Sequence, residues 1–209
     1  MIFGKKEVFM RLVLTVAISI CSIIGDQGLK NGKSTVSRAI FDNITHAIVG
    51  GLTWAVILNL SKKSLTQYFP SIVCCFLLSS FIDVDHFIAA WSWKINDATH
   101  LEKRPFLHCT TVPIVLWFLM NFYSNVFNYP KLSYYSWIVL ASFLSHHIRD
   151  GTRRGLWFCP IGSTQPIPYY LYLMLYFAIA GGVIAGFLLL LFILVCILFV
   201  KLNRLAVDG

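Results

Sequence analysis

The stretch from Phe69 to Trp91 reads FPSIVCCFLLSSFIDVDHFIAAW, and no charged side chain occurs in it before Asp83. A run of about 20 apolar residues is long enough to cross the hydrocarbon core of a bilayer as one α-helix. Asp83, Asp85 and His86 follow within about one helical turn near its end. The stretch therefore predicts a transmembrane helix that carries a group of titratable side chains at one membrane face.

The composition of the whole chain also indicates a membrane protein. Its 209 residues are 57% hydrophobic and only 12% charged, and the mean hydropathy is +0.72. A soluble domain needs more charge to cover its surface, so most of the chain is expected to face lipid or other helices. We predict an all-α fold, a polytopic transmembrane helix bundle of about six spans, with about five to seven compatible with the apolar runs.

Five further apolar runs flank the first stretch. They cover approximately residues 9–25, 44–60, 105–127, 134–148 and 169–200. The first is interpreted as an uncleaved anchor, because no small-residue cleavage site precedes Asp26. The last is too long for one perpendicular span, so either Gly181 and Gly182 break it or it is one tilted helix. The single membrane-embedded domain is then divided into an anchor helix and loop (1–41), a motif-bearing core (42–172) and a C-terminal hydrophobic helical tail (173–209).

The basic residues, which give a formal charge of +8, fall in short clusters between the apolar runs. This arrangement favours loops that lie against anionic lipid headgroups, so we expect membrane lipids as partners and no nucleic acid. Lys and Arg are divided almost equally between the two predicted sides, so their distribution assigns no orientation. The six cysteines include no C-x-x-C pair, which argues against a disulfide framework or a zinc ribbon.

Further titratable side chains fall at the ends of the second, fourth and fifth predicted helices. They are Asp42, His46, His108, His146, His147 and Asp150. Because successive helices alternate in direction, the start of an even helix and the end of an odd helix share one side of the bundle. These side chains and the group at Asp83–His86 are therefore predicted to meet at the same membrane face.

The spacing within two of these helices favours metal binding. Asp42 and His46 are four residues apart, as are His146 and Asp150, so each pair lies on one helical face. An imidazole and a carboxylate on one face can bind one divalent ion, and this donor set suits zinc, manganese or iron better than calcium. His147 points away from His146 and is expected at a helix interface.

Simpler interpretations of the same residues stay open. Asp42 is also a suitable N-cap for the second helix. Asp83 and Asp85 can instead pair with Arg149 or Arg153 in a structural salt bridge. Taken together, the polar residues can form a core that holds the helices to one another.

The segment after the fifth helix adds basic residues close to these carboxylates. Arg149 comes just before the glycine-containing segment that follows Asp150, and Arg153 and Arg154 lie within it. Guanidinium groups bind phosphate in a bidentate manner. We therefore predict that Arg149 and Arg153 steady the charge of a phosphate beside the metal. The alternative is a re-entrant interfacial loop whose arginines contact lipid without specificity.

Four short motifs carry a resemblance to a known family. They are Thr45-His46-Ala-Ile-Val-Gly50, Ile82-Asp-Val-Asp-His86, Arg104-Pro-Phe-Leu-His108 and His146-His-Ile-Arg-Asp150. With them the chain resembles the bacterial YdjM-like family of membrane-bound, metal-dependent hydrolases. It also resembles, more closely, an animal family of transmembrane proteins, which suggests an internal membrane such as the endoplasmic reticulum. One motif departs from the bacterial pattern, because this chain has Arg104-Pro-Phe-Leu-His108 where an Arg-Gly-x-Thr-His-like stretch is usual, a change that keeps the histidine.

The resemblance implies a set of metal ligands and a reaction. The implied ligands are His46, Asp85, His86, His108, His146 and Asp150, with Asp83 as a further ligand or a base. The implied activity is metal-dependent hydrolysis. The arginines next to the one-sided histidine–aspartate cluster, at headgroup depth, indicate a lipid-linked phosphoester as substrate, with zinc or manganese as the ion. The alternative is a non-catalytic structural or metal-binding membrane protein that keeps the same polar core.

Overall fold

The protein is an all-α helix bundle, as the computed structural model shows for residues 4–180. In chain order, the helices that it describes are α1 Lys5–Asn31, α2 Thr35–Leu60, α3 Phe69–Phe81, α4 Val84–Ala89, α5 Ile95–Thr99, α6 Thr111–Val126, α7 Pro130–Arg154 and α8 Tyr169–Ala180. A 3₁₀ turn at Phe106–His108 precedes α6, and an antiparallel hairpin of β1 Trp157–Phe158 with β2 Gly162–Ser163 follows α7. The predicted fold class is confirmed.

Three segments within residues 4–180 are helices long and apolar enough to cross a membrane. They are Lys5–Asn31, Thr35–Leu60 and Phe69–Ala89, the last comprising α3 and α4. The predicted fourth span is shorter, because residues before Thr111 form an extended proline and the 3₁₀ turn, which leaves a helix of 16 residues. The predicted last span begins with α8, and its possible break at Gly181 and Gly182 lies outside the described residues.

The first two helices are both longer than predicted. α1 continues to Asn31 and α2 begins at Thr35, so the loop expected between residues 26 and 43 contains only residues 32–34. Ser34 caps α2 by accepting a hydrogen bond from the Ser37 amide, and the Ser37 hydroxyl accepts one from the Ser34 amide in return. The possibility that Asp42 is the N-cap is therefore wrong, since Asp42 lies about two turns inside the helix.

The predicted third and fifth helices also end elsewhere. The third is interrupted at Ile82 and Asp83, where α3 ends and α4 begins. α7 extends through Arg154 and ends at Gly155, whose φ of 69° lies in the left-handed region. A Cβ on Gly155 would stand 2.0 Å from the Thr164 carbonyl oxygen, so this helix end requires glycine. Arg149 and Arg153 consequently lie on a helix and not in a loop.

The helix α2 lies at the centre of the bundle and contacts α1, α3 and α7. Small side chains allow these close approaches: a Cβ on Gly25 would lie 1.9 Å from Thr45 Oγ1, and one on Gly50 would lie 1.9 Å from Ser79 Oγ. Close packing of α1, α2, α3 and α7 brings the predicted polar ends of these helices to the same end of the bundle.

Candidate metal site

Three groups of histidine and aspartate side chains meet where α2, α4, α7 and the 3₁₀ turn converge. Each group places its donor atoms within 4.8 Å of one another. The groups are His46, His146 and Asp150; Asp83, His108 and His146; and Asp85, His86 and His108. The structure thus brings together every side chain that the sequence indicated as a metal ligand.

Hydrogen bonds on Nδ1 orient three of these imidazoles. His146 Nδ1 donates to the Ser79 carbonyl at 2.9 Å, and His86 Nδ1 donates to the Ala98 carbonyl at 3.1 Å. His108 Nδ1 lies 3.3 and 3.4 Å from the two carboxylate oxygens of Asp85. With Nδ1 of each ring committed to an acceptor, Nε2 is left to present its lone pair, which is the arrangement of metal-binding histidines.

The three Nε2 atoms point at one another. His108 Nε2 lies 3.4 Å from His86 Nε2 and 3.2 Å from His146 Nε2. Asp83 Oδ1 completes a triangle with His108 Nε2 and His146 Nε2, at 3.5 Å from each. We refer to Asp83, His108 and His146 as the tripod.

The dimensions of the tripod fit a transition-metal ion. Ligands about 2.0–2.1 Å from a tetrahedral zinc ion are separated from one another by roughly 3.3–3.4 Å. The three separations in the tripod are 3.2, 3.5 and 3.5 Å. Two imidazoles and one carboxylate also form the kind of three-ligand set that leaves a coordination position open for chemistry.

Two further donors flank the tripod. Asp150 Oδ2 lies 3.4 Å from His108 Nε2 and 3.6 Å from His146 Nε2. On the other side is His86, which lies 4.0 Å from Asp83 Oδ1. Each flanking donor is therefore close enough to complete a coordination shell or to contact a molecule bound there.

Asp85 lies on the Nδ1 side of the His108 ring. Its Oδ2 accepts a hydrogen bond of 2.7 Å from the Leu107 amide, and its carboxylate faces His108 Nδ1 and not Nε2. The side chain is buried. Asp85 thus orients His108 from behind and holds the 3₁₀ turn in place, as a carboxylate partner of a metal-binding histidine does.

His46 borders the cluster but shares its ring nitrogen with an arginine. His46 Nε2 lies 3.2 Å from Asp150 Oδ1 and accepts a hydrogen bond of 3.0 Å from Arg149. Its ring stacks on that of His146 with a centroid separation of 3.7 Å. Because an arginine only donates, its contact occupies the lone pair of Nε2 that a second metal ion would need.

Arg149 is buried and pairs with two carboxylates. It is 1% exposed, and its terminal nitrogens lie 2.5 Å from Asp42 Oδ1 and 2.6 Å from Asp26 Oδ1. This contradicts the alternative in which Arg149 pairs with Asp83 or Asp85. It also leaves neither terminal nitrogen of Arg149 for a phosphate, so the side chain orients Asp42 and His46 instead.

Arg153 is the more accessible arginine of the pair. Its side chain is 35% exposed and contacts Asp42 Oδ2 at 3.0 Å and Asp150 Oδ1 at closer range. It lines a small cavity of about 120 Å³ together with Arg104, Arg154 and residues of the tripod. Arg153 therefore remains compatible with the predicted contact to an anionic substrate.

The electrostatics of the site favour a positive charge beside the tripod. Burial by itself would lower the pKa of His108, but hydrogen bonds to Asp150, Asp83 and Asp85 outweigh it and raise the pKa to about 11. The carboxylates thus stabilise a cation at this point, whether it is a proton on the imidazole or a metal ion.

Several neighbours of the site were not identified from the sequence. Asn43 donates to Asp83 Oδ2 at 3.1 Å and to the Ser80 carbonyl at 2.8 Å, which fixes the Asp83 carboxylate. Asp26, which was expected in a loop, lies on α1 and pairs with Arg149. The one sequence signal for Asn43 was its position three residues before His46, on the same helical face.

His147 donates to the Leu107 carbonyl at 2.8 Å, in agreement with its predicted place at an interface.

The fold and the site together define a class: a multi-pass membrane protein with a histidine–aspartate cluster at one end of its helix bundle. The chain belongs to the transmembrane protein 267 family. It is 36% identical to the mouse (Mus musculus) protein over 167 residues, which cover 78% of this chain and 76% of the relative.

Other members give a similar picture. The chain is 39% identical to transmembrane protein 267 of Bos taurus over 142 residues, or 66% of this chain and 63% of the relative. The Danio rerio protein is 44% identical over 137 residues, or 65% and 60% of the two chains. The chain thus spans somewhat less than two thirds of the length of these two relatives. No protein-family model matches the chain. No solved structure matches it either. The resemblance to the YdjM-like hydrolases has no support from these matches.

Proposed function

We propose that this protein binds one divalent transition-metal ion, zinc or manganese, and hydrolyses a lipid-linked phosphoester at the membrane surface. The observation that supports the proposal is the convergence of three imidazole Nε2 atoms, each with its Nδ1 already hydrogen-bonded, on the Asp83 and Asp150 carboxylates. A polar core that only held helices together would need donors facing acceptors. Here three ring nitrogens and two carboxylates converge on one point, where a single cation balances them: a metal ion in this proposal, and a proton on His108 without it.

The tripod residues would hold the ion. Five carboxylates contact the cluster or its two arginines, Arg149 and Arg153: they are those of Asp26, Asp42, Asp83, Asp85 and Asp150. Two guanidinium groups do not balance five carboxylates, and a divalent ion would neutralise part of the remaining negative charge. A bound ion of this kind lowers the pKa of a coordinated water to about 7 and polarises a phosphoryl oxygen. Only one ion is proposed, because Arg149 takes the space beside His46 and Asp42 where a second would bind.

The flanking residues would handle the proton and the phosphate. Asp150 Oδ2 lies beside the tripod and is positioned to accept a proton from water, while Arg153 holds its other oxygen. Hydrolysis joins the water oxygen to phosphorus and breaks the ester P–O bond, and one proton of the water ends on the departing alcohol oxygen. Arg153 and Arg104 line the small cavity and would neutralise the phosphate charge.

The metal content of detergent-purified protein tests the first half of the proposal. Elemental mass spectrometry should find about one ion per chain in the wild type. Asp83→Asn and His108→Gln, which remove tripod donors with little change in size, should lose it. His100→Ala, an exposed histidine outside the cluster, is the matched control and should retain it. Metal-free wild type after reconstitution with zinc and manganese would refute the site.

Phosphate release tests the second half. Wild type should release phosphate from phosphatidic acid in mixed micelles, and Asp150→Asn should abolish this release while keeping a large part of the metal. A protein that binds one ion but releases no phosphate from any lipid phosphoester would instead have the non-catalytic metal-binding role. The compartment, with the endoplasmic reticulum as the expectation, stays a prediction that microscopy of the tagged chain would test.

A further inference from the structure

A large apolar cavity lies against the outer face of α3. Its volume is about 1020 Å³, and its wall on α3 follows Pro70, Val73, Leu77 and Phe81. These residues are three or four apart and form one stripe along the helix. At about 1.5 Å per residue the stripe is about 16 Å long, which is close to half of the roughly 30 Å hydrocarbon core, or one leaflet.

The apolar cavity ends at the metal cluster. Asp42, Asp83 and His86 line both this cavity and the small cavity of about 120 Å³ that carries Arg104 and Arg153. An apolar space of leaflet length and a space lined by guanidinium groups therefore join at the tripod. Together they have the shape and polarity of a single amphipathic ligand with one anionic end.

The open side of the apolar cavity faces the position of the lipid. Leu77 is 58% and Phe81 61% exposed on this wall, so a hydrocarbon chain can enter sideways from the bilayer. The segment that closes the polar end carries Trp91 and Trp93, which are 94% and 82% exposed. Tryptophan is typical of the membrane–water interface, which puts this end at headgroup level.

We infer that the apolar cavity binds the hydrocarbon tail of a lipid phosphoester, whose phosphate lies in the arginine-lined cavity beside the tripod. The inference rests on the proposed function, and it adds where the lipid tail binds and how the lipid enters: along α3, sideways from the bilayer. A soluble ester would use the small cavity alone and leave the connection to α3 without a role.

Photo-crosslinking tests tail binding without any need for turnover. The full chain is reconstituted in phosphatidylcholine nanodiscs with a small fraction of phosphatidic acid that carries a diazirine in its tail. After illumination, mass spectrometry should place most adducts on Val73, Leu77 and Phe81. Phe118 and Leu119 on α6 are also exposed but line neither cavity, and they should carry at least five-fold fewer. Equal labelling of α3 and α6 would show ordinary surrounding lipid and would overturn the inference.

Two matched tryptophan variants complete the test. Leu77→Trp fills the cavity and should reduce labelling of α3 at least five-fold, whereas Leu119→Trp on α6 should not change it. Both should retain the metal content of the wild type, which verifies folding. Leu77→Trp should also reduce phosphate release from phosphatidic acid at least ten-fold, whereas Leu119→Trp, at a position that lines neither cavity, should release phosphate at the wild-type rate. If the wild type releases no phosphate from phosphatidic acid, the proposed activity fails while the labelling result still decides on tail binding.

Discussion

Replacing Arg149 with methionine should destabilise the bundle more than any other single change to a charged side chain near the site. Arg149 is 1% exposed and contacts Asp42, Asp26 and His46, which come from two other helices. Methionine has a similar length but leaves Asp26 without its cationic partner and Asp42 with Arg153 alone.

The structure also sets the size of the effect. Breaking a buried ion pair by removing one partner costs about 3–5 kcal/mol. The side chains of Asp42 and Asp26 are 25% and 30% exposed, so water partly solvates the abandoned charges and the lower end of that range applies. A loss of about 3 kcal/mol in the free energy of unfolding corresponds to a decrease in Tm of about 6–12 °C for a chain of this size.

Thermal unfolding in a fixed detergent measures this decrease directly. Arg149→Lys keeps the charge but not the two-pronged contact and should lose about half as much. Arg154→Met is the control, because Arg154 lies on the same helix with its side chain exposed. A triple variant that carries Asp26→Asn and Asp42→Asn in addition to Arg149→Met should recover part of the decrease in Tm. If the Tm of Arg149→Met lies within 1 °C of the Tm of Arg154→Met, the proposed stabilising role of Arg149 is refuted.

Two further substitutions probe other parts of the argument. Asp85→Asn should weaken metal binding about 10–100-fold without abolishing it, since Asp85 orients His108 and does not belong to the tripod. Isothermal titration with zinc measures this affinity. A complete loss of the metal at saturating zinc would place Asp85 among the ligands. Gly50→Val should lower the free energy of unfolding by about 1–3 kcal/mol, because a Cβ there would lie 1.9 Å from Ser79 Oγ. The lipid-facing Val115→Ile is the control and should leave that free energy unchanged. Equal free energies of unfolding for the two variants would contradict the close contact at Gly50.

The meeting of the site residues could be predicted because the argument needed only helix direction. His46, His108 and His146 lie far apart in sequence, yet each falls near the end of an apolar run, and alternation of direction brings those ends together. Errors of several residues in the helix bounds did not affect this logic. Helix type and approximate position followed in the same way from apolar length, with α3 as the clearest case.

The partners of each charged group could not be predicted in the same way. Arg149 pairs with Asp42 and Asp26, which are 107 and 123 residues away, and no local pattern identifies which carboxylate reaches which guanidinium. Asp26 was also hidden by the expectation of a loop, since helix ends are less well marked in sequence than apolar runs. Asn43 carries no charge, so nothing except its helical face connected it with Asp83.

The pairing of Arg149 across 107 residues has a consequence for biogenesis. During synthesis α2, with Asp42, enters the membrane well before α7 delivers Arg149. A charged side chain within a span costs about 2.5–3.5 kcal/mol on insertion scales. This cost falls on the early helices until α7 docks, because α7 brings Arg149 to Asp42 and also supplies His146 and Asp150 to the cluster. A chain in which α7 has not yet docked therefore lacks His146 and Asp150 beside His46, and the histidine–aspartate cluster exists only after the helices α1 to α6 have been followed by α7.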